Sequence, residues 1–385
     1  MYTESEVLDF VKEEDVKFIR LAFFDMKGKQ KNISIMADQL NRAFEMGISF
    51  DASAIEGFEA PNKSDLFLHP DPTTLSVLPW RPNTGKVCRM FCNIKYADGT
   101  PYKKDCRNIL KKATKQLKDE CNVTLSFGPE VEFYLFKLNE AGEPTKIPFD
   151  NAGYMDIAPE DKGENIRRDI CFTLEQMGIT PEASHHEEGP GQNEIDFRYS
   201  DALTAADNAE TFKWIVRTRA ASNGIYADFS PKPLENEAGS GFHINVSCSD
   251  QSKIPNIIAG ILKHAEEMTY YFNTTENSYN RLGERKAPKY ICWGNQNRSA
   301  MIRVPATKKT ARLEIRSADP ECNPYLAFTL ITCAAMDGIK NNLVPPAPIE
   351  ENLFETSHSD IQILPDTLDL AKKIADESDF IKKAF

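Results

Sequence analysis

The sequence predicts an α+β protein of two folding units, and three observations carry that prediction. Its 385 residues exceed the span of a typical single domain. The first hundred residues mix short β-favouring runs with short helical ones. The remainder alternates long helical patterns with short strands, as expected of a large sheet covered by helices.

The elements follow in order. Thr3-x-x-Glu6 matches a helix-start capping box, and Val7, Phe10 and Val11 recur at helical spacing as far as the acidic turn Glu13–Asp15. Val16–Phe24 is β-favouring, Asp25–Gly28 reads as a turn, and Lys31–Met36 as a return strand, which together predict a hairpin. Helical spacing resumes over Asp38–Met46 and stops at Gly47, and two more β-rich runs follow at Leu75–Trp80 and Lys86–Tyr96. The chain turns at Ala97–Pro101, where a domain boundary is expected. Asp105 then caps a helix with Cys106, Leu110, Ala113 and Leu117 on one face. Further helices are predicted over 164–177, 206–223, 254–272 and 324–342.

Composition narrows the function. With 41% hydrophobic and 27% charged residues, the chain is neither collagenous nor disordered. Lys plus Arg number 46 against 58 Asp plus Glu, a formal charge of −12 that opposes attraction to nucleic acid or anionic lipid. Nine cysteines lie singly, without CxxC pairs, which predicts a reducing, cytoplasmic setting. The opening residues are acidic and lack an export-signal pattern, and the apolar stretch Tyr325–Met336 is too short for a membrane span.

Four clusters carry chemistry. In Gly128–Phe136, alternation predicts one strand with Glu130 and Glu132 pointing the same way. Glu182–Phe197 joins two β-like ends through a loop holding His185, His186, Glu187, Glu188 and Glu194. Its oxygen donors favour Mg²⁺ or Mn²⁺ over zinc. In Ala238–Ser247, small residues permit close backbone approach to a ligand, and His243 opens an alternating strand. In Ala311–Arg316, period two puts Arg312, Glu314 and Arg316 on one face and Leu313 and Ile315 on the other. That face is either a surface ion-pair ladder or a metal-ligating carboxylate flanked by guanidinium groups. Arg281, Arg298 and Arg303 add cations suited to an anionic, multi-phosphate ligand.

In this order and with these surroundings, the clusters resemble glutamine synthetase, type I, over nearly the whole chain. Phe50–Phe58, Gly153-Tyr154, Glu164–Asp169, Lys232-Pro233 and Asn323–Phe328 extend the resemblance. It implies an N-terminal β-grasp domain over residues 1–100, then a glutamine-synthetase-type catalytic α/β domain over 101–385. It further implies a homo-oligomer of hexameric rings with active sites between neighbouring subunits. The implied reaction is ATP-dependent ligation of L-glutamate and ammonia to L-glutamine through a γ-glutamyl phosphate.

Carried over position by position, the resemblance assigns Glu132, Glu187 and Glu194 to one divalent cation and Glu130, His243 and Glu314 to a second, Mg²⁺ or Mn²⁺. Arg298, Arg303 and Arg312 would face the phosphates of ATP, and Arg281, Gly239 and Arg316 the glutamate. Asp51, lent by an adjacent subunit, would act with Arg298 in catalysis by binding ammonium and taking its proton, and Tyr154 would line the same pocket.

The chain departs from the family pattern on the amine side. Asp51-Ala52-Ser53-Ala54 stands where Asp-Gly-Ser-Ser is usual, and Ala238 replaces an Asn before Gly239-Ser240-Gly241. The flap segment Arg281–Pro288 is one residue shorter and carries Lys286 in place of a Glu. A cation there is expected to repel NH₄⁺ unless Glu284 or another group offsets it. The segment after Ser247 is contracted and the C-terminus stops at Phe385, which leaves ring stacking open. Two other readings therefore stand beside ammonia ligation: a γ-glutamyl ligase for a bulkier amine, and a non-catalytic regulatory paralogue.

Overall fold

The chain divides into two units, Met1–Lys111 with Thr173–Ile179, and Lys112–Phe172 with Thr180–Phe385. The structure, a computed structural model, describes residues 2–307, 311–356 and 358–385.

The first unit opens with the helix Glu4–Glu13, whose capping box is formed by Thr3 and Glu6. Six strands follow: β1 (Val16–Phe24), β2 (Gln30–Met36), β3 (Ile48–Asp51), β4 (Asp65–Pro70), β5 (Ser76–Val77) and β6 (Lys86–Lys95). They form one sheet in the order β2-β1-β6-β4-β3, with β5 on β6. The predicted hairpin is β1–β2. Its turn is held by the Asp25 carboxylate, which accepts from the backbone amides of Lys27 and Lys29 at 3.0 and 2.9 Å. β1 and β6 run parallel, a pairing that no local signal announces. Val7, Ile19, Leu21, Leu40, Leu66, Leu68, Met90 and Ile94 form the core beneath the sheet.

Two expectations are corrected in this unit. The run 75–80 supplies only the two-residue β5, because Pro72 and Pro79 bracket it and remove ladder donors. β3 and β4 had no counterpart in the sequence reading; both are short, and β4 ends in a proline.

The second unit carries an eleven-stranded sheet. Its strands are β7 (Leu125–Val131), β8 (Phe133–Leu138), β9 (Pro144–Pro148), β10 (Pro181–His186), β11 (Gln192–Phe197), β12 (Ser200–Asp201), β13 (Ile225–Asp228), β14 (Phe242–Cys248), β15 (Trp293–Asn295), β16 (Ile302–Val304) and β17 (Leu313–Ile315). The main path is β13-β8-β11-β7-β14-β17-β16-β15. Alternation positions everything that follows. On β7, Leu125, Phe127 and Val131 are buried while Ser126, Gly128 and Glu130 are only partly so. On β14, Phe242 reaches the helix Pro324–Lys340, its ring stacked with Phe328 at 6.3 Å, and Phe127 stacks on Phe328 at 4.4 Å. One face of the sheet is thus committed to an apolar helix layer. The other is free to carry charge.

Two elements differ from expectation here as well. The predicted strand 128–136 is broken at Glu132, where β7 ends and β8 begins. Glu132 turns its amide to the Gly241 carbonyl at 3.1 Å, so β7 can pair with β14 and β8 with β11 and β13. The predicted helix 254–272 is two helices, Ile254–Lys263 and Ala265–Phe272, because His264 leaves helical geometry at φ −103, ψ 12. Its ring is held by Glu267 at 2.5 Å, Asp337 at 3.0 Å and the face of Phe380 at 3.8 Å. Among the described residues, no helix is long and apolar enough to cross a membrane.

Candidate active site

Five adjacent strands, β11-β7-β14-β17-β16, bring the charged and polar residues of distant segments into register. Glu130 on β7 lies opposite His243 on β14 and opposite Asp196 on β11, while Glu314 on β17 lies opposite Asn245 on β14 and Arg303 on β16. Each residue has the parity of the charged face, so side chains from about 190 residues of sequence converge on one cavity of about 470 Å³.

His243 is the centre. Its Nδ1 lies 3.6 Å from Glu130, 3.9 Å from Glu132 and 3.9 Å from Glu314. Ligand atoms of Glu130, His243 and Glu314 come within 4.8 Å of one another, as do those of Glu132, Glu194 and His243, and those of His185, Glu187 and Glu194. Glu194 is common to the last two of these triads and to a further one with Glu130 and Asp196. His185 Nε2 contacts Glu187 at 2.9 Å, and this hydrogen bond raises the pKa of the ring.

Burial and mutual repulsion strain these acids. Burial pushes the Glu194 carboxyl well above the usual range, and Glu132, Asp196, Glu130 and Glu187 add to it. Burial also raises Glu132, reinforced by Glu187 and opposed by His243 and the Gly241 amide. Asp196 is raised to about 6 by burial and the Glu130 charge. Glu314 behaves in the opposite way. Burial acts to raise it, but Arg316, His243 and Arg303 together overcome that and hold it at about 2. Arg316 donates to Glu314 at 2.6 Å and Arg303 donates at 2.5 Å.

The cationic side of the cavity is made by Arg281, Arg298, Arg303, Arg312 and Arg316. Arg281 is anchored by donating to the carbonyls of Ser317 and Arg316, both at 3.1 Å, which leaves other donors of its fork for a ligand. Gly239 borders it. A Cβ at Gly239 would come within 2.6 Å of the Pro231 carbonyl and 2.8 Å of Arg281 Cγ, so only glycine lets the loop pass there. Arg303 Nε and Asp196 Oδ1 are buried at this cavity without a hydrogen-bond partner among the described residues.

The tandem histidines separate by strand parity. His185 points to the cavity, while His186 turns into a buried network, 2.9 Å from Asp150, and its other nitrogen bonds the Glu187 carbonyl at 2.6 Å. Asp161 in that network is taken by Arg167 at 2.5 and 3.1 Å, so the cluster supports the Glu187 turn. Tyr154 lines the cavity mouth, with its ring 5.5 Å from His185. Asp51 belongs to the first unit, where its exposed carboxylate caps the turn by accepting from the Ser53 amide at 2.9 Å and hydroxyl at 2.6 Å.

Sequence reasoning missed several cavity residues. Asn245 donates to Glu130 at 2.7 Å, and Gln192 donates to Glu132 at 3.1 Å. Both were detectable in principle, because Asn245 has the parity of His243 on β14 and Gln192 that of Glu194 on β11. Glu188 pairs with Lys286 across the cavity mouth, supplying the offsetting group that the flap required. A second cavity, of about 380 Å³, adjoins the first and shares Glu130, Asp196 and Arg312 with it, while Tyr199, Phe197 and Ser247 complete its wall.

Known proteins share this sequence and fold. The model of the glutamine synthetase β-grasp domain matches residues 15–97, and that of the glutamine synthetase catalytic domain matches residues 103–385. The chain is 44% identical over 405 residues to the glutamine synthetase of Staphylococcus aureus strain MW2, covering 100% of this chain and 91% of the relative. It is 43% identical, with the same coverage, to that of Clostridium saccharobutylicum. Among solved structures, a GmaS–ADP complex superposes with a TM-score of 0.89 at 26% identity, covering 98% of this chain and 91% of the other. The Plasmodium falciparum glutamine synthetase seen by cryo-electron microscopy shares the fold, with a TM-score of 0.87 at 23% identity over 100% of this chain and 94% of the other. With two family models together spanning most of its length, the chain belongs to the glutamine synthetase family.

Proposed function

We infer that this chain, an ATP-dependent glutamate–ammonia ligase, forms L-glutamine through a γ-glutamyl phosphate in the larger cavity. One observation carries the inference: the acid cluster around His243 and a bank of arginines line a single cavity. A carboxylate is a poor electrophile and oxide a poor leaving group, so amide formation needs prior phosphorylation of the γ-carboxylate.

The donor set, carboxylate oxygens with one imidazole nitrogen, fits two hard divalent cations. Glu130, His243 and Glu314 would hold one, and Glu132, Glu187 and Glu194 the other. Mg²⁺ or Mn²⁺ in these positions supplies charge neutralisation during phosphoryl transfer. Five carboxylates bring about −5 to the site against about +4 from two cations, which makes the acid crowding tolerable.

Arg298, Arg303 and Arg312 face the polyphosphate in this reading. The adjoining cavity is positioned for the nucleoside, with Tyr199 and Phe197 as apolar wall. Arg281, Gly239 and Arg316 orient glutamate. Asp51 of a neighbouring copy deprotonates ammonium beside Tyr154, which makes the protein a homo-oligomer, consistent with hexameric rings. A cytoplasmic location, and a domain division at residues 100/101, complete the reading.

Cation uptake should be linked to pH. The raised carboxyls of Glu132, Glu194 and Asp196 retain protons at pH values where ordinary carboxylates have lost them, and a cation must displace those protons. Mn²⁺ affinity is therefore expected to rise with pH as these raised carboxyls give up their protons. Calorimetry in buffers of different ionisation enthalpy should show proton release at about pH 6 that shrinks by about pH 8. Equal release at both would contradict the assignment.

The activity itself is tested by ADP release with glutamate, ATP, Mg²⁺ or Mn²⁺, and a panel of ammonia, methylamine and a diamine. Ammonia is expected to support turnover best. Turnover with a substituted amine alone would overturn the reading, as would tight ATP binding without turnover on any amine.

A further inference from the structure

We propose that Lys286 and Glu188 form a charge-paired gate at the mouth of the catalytic cavity, and that this pairing determines how readily ammonium enters. The proposal rests on the glutamine-forming reading above. Both side chains line the cavity, and their ends meet as an ion pair joining residues 98 apart in sequence.

The two partners sit on differently built segments. Glu188 sits on the turn 187–191, which is tied down at several points. The Asp150 carboxylate accepts from the Gly191 amide at 2.9 Å, and the Gln192 side-chain carbonyl accepts from the Gly189 amide at 2.9 Å. A Cβ at Gly189 would lie 1.9 Å from the Tyr134 hydroxyl, so the turn has no room to shift.

Lys286 rides on the segment 281–288, where Arg285 adopts a positive φ of 45°, sparsely populated by non-glycine residues. That segment is secured by the Arg285 guanidinium on the Asn236 carbonyl and by the Arg316 guanidinium on the Lys286 carbonyl at 3.4 Å. A cation on a segment with a strained backbone thus meets an anion on a tied-down turn.

The pair lies where a charge would matter for the amine. The Lys286 ammonium is 5.7 Å from the centre of the Tyr154 ring, at the cavity mouth, and attraction to that ring also holds it there. The Glu188 amide donates to the Glu187 carboxylate at 3.1 Å, so the anionic half of the gate is coupled directly to a candidate cation ligand. Unpaired, Lys286 would present a positive charge to an incoming NH₄⁺. Paired with Glu188, it contributes almost no net charge while still closing the mouth. Lys286 and Glu188 are then a matched set, and neither is meaningful alone.

The test is a charge-swap cycle. Glu188→Gln should raise the KM for ammonium about tenfold, with kcat and the KM for ATP changing by less than about twofold. The swapped double variant, Lys286→Glu with Glu188→Lys, should restore the ammonium KM to within about threefold of the parent. Hydrogen exchange over residues 281–288 should speed up in Glu188→Gln and return toward the parent rate in the swap.

A swap as impaired as Glu188→Gln alone would overturn the gate. So would a Glu188→Gln effect falling equally on ATP, or unchanged exchange over 281–288 in that variant. If the parent enzyme uses no ammonium yet its exchange responds as described, the pairing is upheld and the ammonium role is overturned together with the glutamine reading.

Discussion

Glu194→Gln should make the metal-free protein more stable and at the same time cost the enzyme its activity, about 10²–10³-fold in kcat/KM. Glu194 is buried among Glu132, Asp196, Glu130 and Glu187, and its carboxyl is pushed well above the usual range by burial first and these charges second. A carboxyl whose folded pKa exceeds its unfolded value opposes folding once the pH rises above the unfolded value. That penalty is complete only beyond the folded pKa. At neutral pH, a neutral amide of the same shape removes the penalty, a gain on the order of 1–2 kcal/mol in the apo protein. The gain should shrink as the pH falls toward about 4, where the unfolded-state carboxyl also keeps its proton.

Thermal unfolding with and without Mn²⁺ checks both halves. The parent should gain stability on adding Mn²⁺, and the variant should start higher and gain little. A variant no more stable than the parent without metal, but equally responsive to it, would remove Glu194 from the cation site.

Arg316→Met should destabilise the protein by about 3–5 kcal/mol and abolish turnover. Arg316 is buried, donating to Glu314 at 2.6 Å, to the Arg298 carbonyl at 3.1 Å and to the Lys286 carbonyl at 3.4 Å. Removing it takes away the foremost group holding down a carboxylate that burial would otherwise push up. Arg303 would remain as that carboxylate's guanidinium partner.

A second substitution separates charge from shape. Arg316→Met combined with Glu314→Gln should recover about half of the lost stability, because the buried carboxylate deprived of Arg316 is gone, yet recover no activity. Denaturant unfolding and ADP release give both readouts. A double variant no more stable than Arg316→Met would mean that the arginine's packing, and not its pairing with Glu314, dominates.

The legible parts of this molecule were those written in local periodicity. The capping box at Thr3 and Glu6, the hairpin β1–β2 and the helix Pro324–Lys340 each depend on residues near one another in the chain, so pattern suffices. The same period-two reading put Arg312, Glu314 and Arg316 on one face, with Leu313 and Ile315 buried on the other. It failed at Glu132, where the strand breaks because a distant carbonyl, that of Gly241, captures the backbone amide. It failed again at His264, whose ring is drawn to Asp337 and Phe380, more than 70 residues away.

The sequence by itself determined the donor inventory, its alternation along each strand and the family to which the chain belongs. Those follow from residue identity and spacing, which need no third dimension. Only the tertiary structure decided that His185 faces the cavity while His186 turns away, that Glu194 serves three ligand triads, and that Lys286 meets Glu188. Strand order and loop closure, which bring together residues far apart in the chain, are set by the packing of the whole sheet on its helices and leave no trace in local spacing.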